Sequence, residues 1–157
     1  MRTNVINKGN ININEDIKSF VSTSIGEEDL EVLSRISNGP NGFNISKIFP
    51  KNLIPQDIKS ILNHKKEPLL ISFYNVGWHD DKKFATKTYP WFIVYVLETH
   101  GNEFIFDIGK RGLKESVMLK EGDIYLINTQ VKHRVKYQGD INDKPCSLLV
   151  FNTNIRY

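Results

Sequence analysis

The chain has 157 residues, of which 39% are hydrophobic and 25% charged, with a formal net charge of +3 and a pI near 8.9. This is ordinary for one globular domain with a sizeable core, and the charge is too small to argue for nucleic-acid binding by itself, although it leaves that partner open. A lone cysteine, Cys146, excludes an intramolecular disulfide and fits a reducing compartment. The first residues, Met1-Arg2-Thr3-Asn4-Val5-Ile6-Asn7-Lys8, lack the apolar run of a signal peptide. No stretch approaches the ~18 consecutive apolar residues of a membrane span. A cytoplasmic protein with no membrane partner is therefore expected.

Residues 1–13 mix polar and apolar positions and read as an edge strand or a loose arm. Ile17, Phe20 and Val21 have the three-and-four spacing of a short helix. Ser24 with Glu27 resembles a capping box opening a second helix, with Leu30, Val32, Leu33 and Ile36 on its apolar face. Asn38-Gly39-Pro40-Asn41-Gly42 is a breaker. Phe43, Ile45 and Ile48 suggest a strand ending near Pro50, and Pro55 suits the first turn of a helix running to about His64.

From Leu69 onward the pattern changes to short apolar runs and alternation. Strands are expected at Leu69–Tyr74, Trp91–Leu97, Glu103–Phe106, Val117–Leu119, Ile124–Ile127, His133–Tyr137 and Ser147–Phe151. His100-Gly101-Asn102 is expected to join the second and third of these as a hairpin. Helices thus gather at the front and strands at the back. The expected fold is mainly β with N-terminal helices, a double-stranded β-helix or jelly roll. It is read as a single domain over 1–157, with a helical part at 1–66 packing on a jelly-roll core at 67–157.

The chemistry-bearing residues lie between Trp78 and His133. His79 and Asp81 are two positions apart, so in an extended segment both face the same side. His133 follows 52 positions after Asp81, enough chain for several antiparallel strands to return to the same place. Two imidazoles and one carboxylate are the ligand set of a non-haem Fe(II) facial triad. The competing reading is that His79 and Asp81, between Gly77 and Lys82-Lys83, form a solvated turn, and that His133 is a surface-strand histidine.

Trp78-His79-Asp80-Asp81, the strand Trp91–Glu98, the turn into Glu103–Phe106, Gly122-Asp123, Asn128-Thr129 and His133-Arg134-Val135 together resemble a Fe(II)- and 2-oxoglutarate-dependent dioxygenase. The similarity is to the aspartyl/asparaginyl hydroxylase-like and prolyl hydroxylase-like branches of the cupin-like superfamily, and it covers roughly residues 69–152. It implies Fe(II) held by His79, Asp81 and His133, with 2-oxoglutarate and dioxygen as cosubstrates and hydroxylation of a protein side chain or another substrate as the outcome. It also implies a basic anchor for the far carboxylate of 2-oxoglutarate. Lys144, eleven positions after His133, stands where the family usually has Arg. Ser147 or a tyrosine such as Tyr95 or Tyr74 would supply an accompanying hydroxyl, and Asn128 or Asn75 would orient a ligand or the cosubstrate.

Two other classes remain on the same scaffold. One is a cupin-type jelly roll that binds a metal or small ligand without 2-oxoglutarate chemistry. The other is a non-enzymatic interaction module with an accidental triad. Lys82, Lys83, Lys87, Lys110, Arg111 and Lys114 form either a solvated face or a surface for an acidic protein or a phosphate backbone. A homodimer formed through the front helices is compatible with the sequence.

Overall fold

The computed structural model describes residues 3–36, 44–63, 65–110, 112–139 and 144–156. The breaker at 38–42, Phe43, His64 and Arg111 lie outside the described residues. Among the described residues, ten strands form two antiparallel sheets, a β-sandwich with few helices. In chain order the strands are β1 Val5–Asn10, β2 Asn44–Ile48, β3 Leu69–Phe73, β4 Val76–His79, β5 Trp91–Glu98, β6 Phe104–Ile108, β7 Glu115–Met118, β8 Asp123–Asn128, β9 His133–Tyr137 and β10 Cys146–Asn152. The large sheet runs β1-β8-β5-β10-β3-β2 and the small sheet β4-β9-β6-β7.

The central strands β5 and β10 are buried on both faces because each face meets a different core. Tyr95, Leu97, Leu149 and Phe151 face outward, where Ile17, Val21, Phe49 and Leu62 pack on them. Val94, Val96, Cys146 and Leu148 face inward, against Phe104, Phe106, Ile108 and Val135 of the small sheet. This explains the near-continuous apolar runs of these strands, since alternation survives only where one face is wet.

The N-terminal third is less helical than its sequence suggests. β1 and β2 extend the two edges of the large sheet, pairing with β8 and β3. Two helices, α1 Glu15–Ser24 and α2 Glu27–Ile36, lie between them in the chain. Asn14 caps α1 by accepting from the backbone N–H of Ile17 at 2.9 Å. Ser24 is not the N-cap of α2: it is the last residue of α1, and its carbonyl accepts from the Lys47 ammonium. The helix expected from Pro55 to His64 is a single turn, α3 Gln56–Lys59, which buries Ile58. Beyond it Leu62 bridges to Thr153 in extended backbone.

The expected hairpin of β5 and β6 is corrected. His100, at φ 53, and Gly101, at φ 75, do make the tight turn. However, β5 pairs with β8 and β10, while β6 pairs with β7 and β9. The turn therefore carries the chain from one sheet to the other. No helix among the described residues is long and apolar enough to cross a membrane.

Candidate metal centre

β4 and β9 are antiparallel neighbours, and His79 stands directly opposite His133 in their register. Cross-strand partners hold their Cβ atoms roughly 4.5–5.5 Å apart, so the ladder alone brings the two imidazoles together. Their ring centroids are 4.4 Å apart and nearly edge-to-face at 63°. Val76 opposes Val135 two steps along β9, but three steps separate Val76 from His79 on β4. This extra residue is a β-bulge, which lets both Val76 and His79 face inward. Over three steps, plain alternation would turn His79 to the outer face.

Asp81 completes the group from just beyond the strand. Its N–H donates to the Thr129 carbonyl at 2.9 Å, and its own carbonyl accepts from the N–H groups of Phe84 and Ala85. Its carboxylate Oδ2 lies 3.0 Å from His133 Nε2, and Oδ1 lies 3.8 Å from His79 Nε2. One ligating atom from each of His79, Asp81 and His133 lies within 4.8 Å of the other two. The three residues that the sequence offered as a ligand set therefore lie side by side.

Both imidazoles are oriented by the same device. His79 Nδ1 donates to the Gly77 carbonyl at 2.7 Å, and His133 Nδ1 donates to the Val131 carbonyl at 2.8 Å. A carbonyl only accepts, so Nδ1 carries a proton in each ring and Nε2 is the nitrogen that faces the shared space. His133 Nε2 and Asp81 Oδ2 thus face each other across a gap that a proton or a metal cation bridges. Bonds of roughly 2.0–2.2 Å to nitrogen and oxygen ligands fit separations of this order. The donor set and its spacing thus suit a divalent transition metal.

The turn before His133 is stiffened from three sides. Thr129 donates from its N–H and its hydroxyl to the Pro90 carbonyl at 3.0 and 2.6 Å. Asn128 Oδ1 accepts from Gln130 N–H at 3.1 Å. Phe106 covers His133 from below, with ring centroids 5.7 Å apart. Sequence reasoning missed the roles of Gly77, Val131 and Thr129, which act largely through backbone carbonyls that any residue type would present.

The residues expected to hold 2-oxoglutarate are not gathered here. Tyr95 lies on the outward face of β5, where its hydroxyl donates to the Ile11 carbonyl at 2.8 Å. Burial pushes its pKa up to about 12. Ser147 shares the outward parity of Leu149, and its hydroxyl is 2.7 Å from that of Ser72. Asn128 has the outward parity of Leu126 and is committed to its own turn. Lys144 is exposed, and its carbonyl accepts from Asn102 at 3.5 Å. Asn102 precedes β6, whereas the triad adjoins Ile108 at the other end of that strand. At about 3.4 Å per residue the two ends are separated by roughly 14 Å. Tyr74 packs against Tyr137 with tilted rings at the same distant end, and Asn75 Oδ1 accepts from Tyr137 N–H. Two causes separate these residues from the triad: Tyr95, Ser147 and Asn128 have the outward parity of their strands, and Lys144, Tyr74 and Asn75 lie at the far end of the small sheet.

No family model and no curated protein matches the chain. Solved structures give weak likenesses. Hydroxypropylphosphonic acid epoxidase from S. wedmorenis with fosfomycin is 15% identical with a TM-score of 0.41, over 70% of this chain and 51% of that one. An oxidoreductase of the 2OG-Fe(II) oxygenase family from Burkholderia pseudomallei is 11% identical with a TM-score of 0.44, over 87% and 56%. Streptomyces albus HEPD with 2-hydroxyethylphosphonate and Fe(II) bound is 16% identical with a TM-score of 0.39, over 55% and 17%. The chain spans about half or less of the length of these proteins, and likenesses of this size decide neither substrate nor cosubstrate.

Proposed function

We propose that this chain is a metal-dependent oxidoreductase of the non-haem Fe(II) type, with His79, Asp81 and His133 as its protein ligands. The observation that carries the reading is the convergence of those three ligating atoms within 4.8 Å, with both Nδ1 atoms tied to carbonyls so that both Nε2 atoms remain to ligate. We also read the scaffold as a double-stranded β-helix forming one folding unit with residues 1–66. The support is that β3-β10-β5-β8 faces β4-β9-β6-β7, as an eight-stranded jelly roll requires. When bound, Fe(II) would activate dioxygen and leave positions open for it and for substrate. The chain's own part is to fix the two imidazoles, supply one negative charge, and shield one side of the centre with Phe106, Val135 and Ile108.

Dependence on 2-oxoglutarate is the second reading, carried by the His-x-Asp and distal His pattern. Against it, the positions of inward parity on β3, β5, β6, β8, β9 and β10 include no Lys or Arg to anchor a distal carboxylate. Anaerobic reconstitution with Fe(II) tests the first reading. One metal per chain is expected, and its loss in His133→Ala and Asp81→Ala; a wild-type chain that retains no stoichiometric metal overturns it. Succinate release on adding 2-oxoglutarate and air separates the second reading from the first.

A further inference from the structure

Behind the metal-binding strand ends lies a second site, on the outer face of the small sheet. It is a cleft of about 710 Å³ in which Trp78 is surrounded by Lys82, Lys110, Lys114, Lys132 and Arg134. These alternate with the triad along the chain: Trp78 precedes His79, and Lys132 and Arg134 flank His133, so the ladder that turns the imidazoles inward turns these side chains outward. Among the described lining residues five cations meet one carboxylate, Asp80, and the buried Asp107 offsets one further charge from beneath, so the cleft stays net positive.

We propose that this cleft binds a nucleotide unit, with its phosphate on the lysines and its base against Trp78. Gly109, at φ 119, donates its N–H to the Lys132 carbonyl at 3.0 Å, which docks the loop bearing Lys110 beside Lys132. Neither Lys110 nor Lys132 has a carboxylate partner among the described residues, so both ammonium groups are available. Arg134 and Lys114 share the buried Asp107 carboxylate, which holds them at the wall at 2.9 and 4.0 Å. The Trp78 indole is 42% exposed, unusual for so large an apolar ring, with the Arg134 guanidinium 4.7 Å from its centroid. A flat, half-exposed ring among cations suits a ligand that is both planar and anionic. Basic grooves with aromatic platforms recognise nucleotides this way, whereas an acidic peptide or bare phosphate makes no use of the ring. The free nucleotide and the nucleotide within a single strand share this chemistry.

The test uses the full chain in a chelating buffer, so that it is independent of the iron reading. AMP, a fluorescein-labelled oligo(dT) octamer, pyrophosphate and an oligoglutamate peptide are titrated at low salt, with Trp78 fluorescence and anisotropy as readouts. AMP or the octamer should bind and quench Trp78, and saturation by AMP alone distinguishes the free ligand from the strand. Trp78→Leu should weaken binding on the order of tenfold, and Trp78→Phe should recover most of it. The pair Lys110→Glu and Lys132→Glu should abolish binding while the melting curve stays unchanged. The proposal is overturned if neither nucleotide form binds, if pyrophosphate or oligoglutamate binds as tightly, or if Trp78→Leu leaves the affinity as it was.

Discussion

His133 Nε2 stands 3.0 Å from Asp81 Oδ2 while its Nδ1 proton is engaged by the Val131 carbonyl. The imidazole therefore turns Nε2 toward a carboxylate, and a proton or a metal cation bridges the two. Adding Mn(II) or Fe(II) should raise the melting temperature, since a ligand at about 100 times its Kd stabilises the native state by about 2.7 kcal/mol. Asp81→Asn keeps the shape but removes the charge. It should lose most of that metal-induced shift in differential scanning fluorimetry; an undiminished shift would place the ion elsewhere.

The bulge in β4 makes a second prediction. Deleting Gly77 leaves two steps between Val76 and His79, so simple alternation keeps both on the inner face with His79 still opposite His133. The variant should keep its β-sheet circular dichroism and still bind metal by elemental analysis. Loss of metal binding would show that the Gly77 carbonyl, and not strand parity alone, sets the direction of His79.

Asp107 has the parity of the outer face, yet it is buried at 0% exposure beneath cationic side chains. Burial alone would raise its pKa, but hydrogen bonds from Ser116 and Arg134 and the charges of Lys114 and Lys136 outweigh it and leave the pKa lowered. A depressed folded pKa gives stability that is fully present above the ordinary value of 3.8 and is lost as pH falls through the folded value. Asp107→Asn should cost about 2 kcal/mol at neutral pH. Urea melts between neutrality and strong acid should show a shallower acid limb than wild type, and parallel limbs would refute the assignment.

Tyr95 and Lys144 separate structure from cosubstrate chemistry. Tyr95→Phe removes the hydrogen bond to the Ile11 carbonyl and should cost about 1 kcal/mol in urea denaturation. Lys144→Ala, at an exposed position, should change stability by less than about 0.5 kcal/mol. Neither should alter metal stoichiometry. A raised apparent Km for 2-oxoglutarate in Lys144→Ala would restore the anchoring role.

Asn14→Ala tests the unanticipated cap of α1. Loss of the bond to Ile17 N–H should cost about 1 kcal/mol, while Ser24→Ala should leave the start of α2 unaffected. Chemical denaturation of the two variants side by side distinguishes the caps.

The chain by itself determined where most strands lie and which three residues could share a metal. Trp91–Glu98 and Cys146–Asn152 declare themselves because β-branched and aromatic residues favour a pleated, buried surface. His79, Asp81 and His133 were legible because two-residue spacing and a long return are properties of the sequence. The tertiary structure alone decided which face each residue took. A strand buried on both sides carries no alternation, so nothing in the run Trp91–Glu98 tells that Val94 faces inward and Tyr95 outward. It also decided that the turn at His100 changes sheets, and that Lys110 comes to lie beside Lys132, because strand pairing is set by partners remote in sequence.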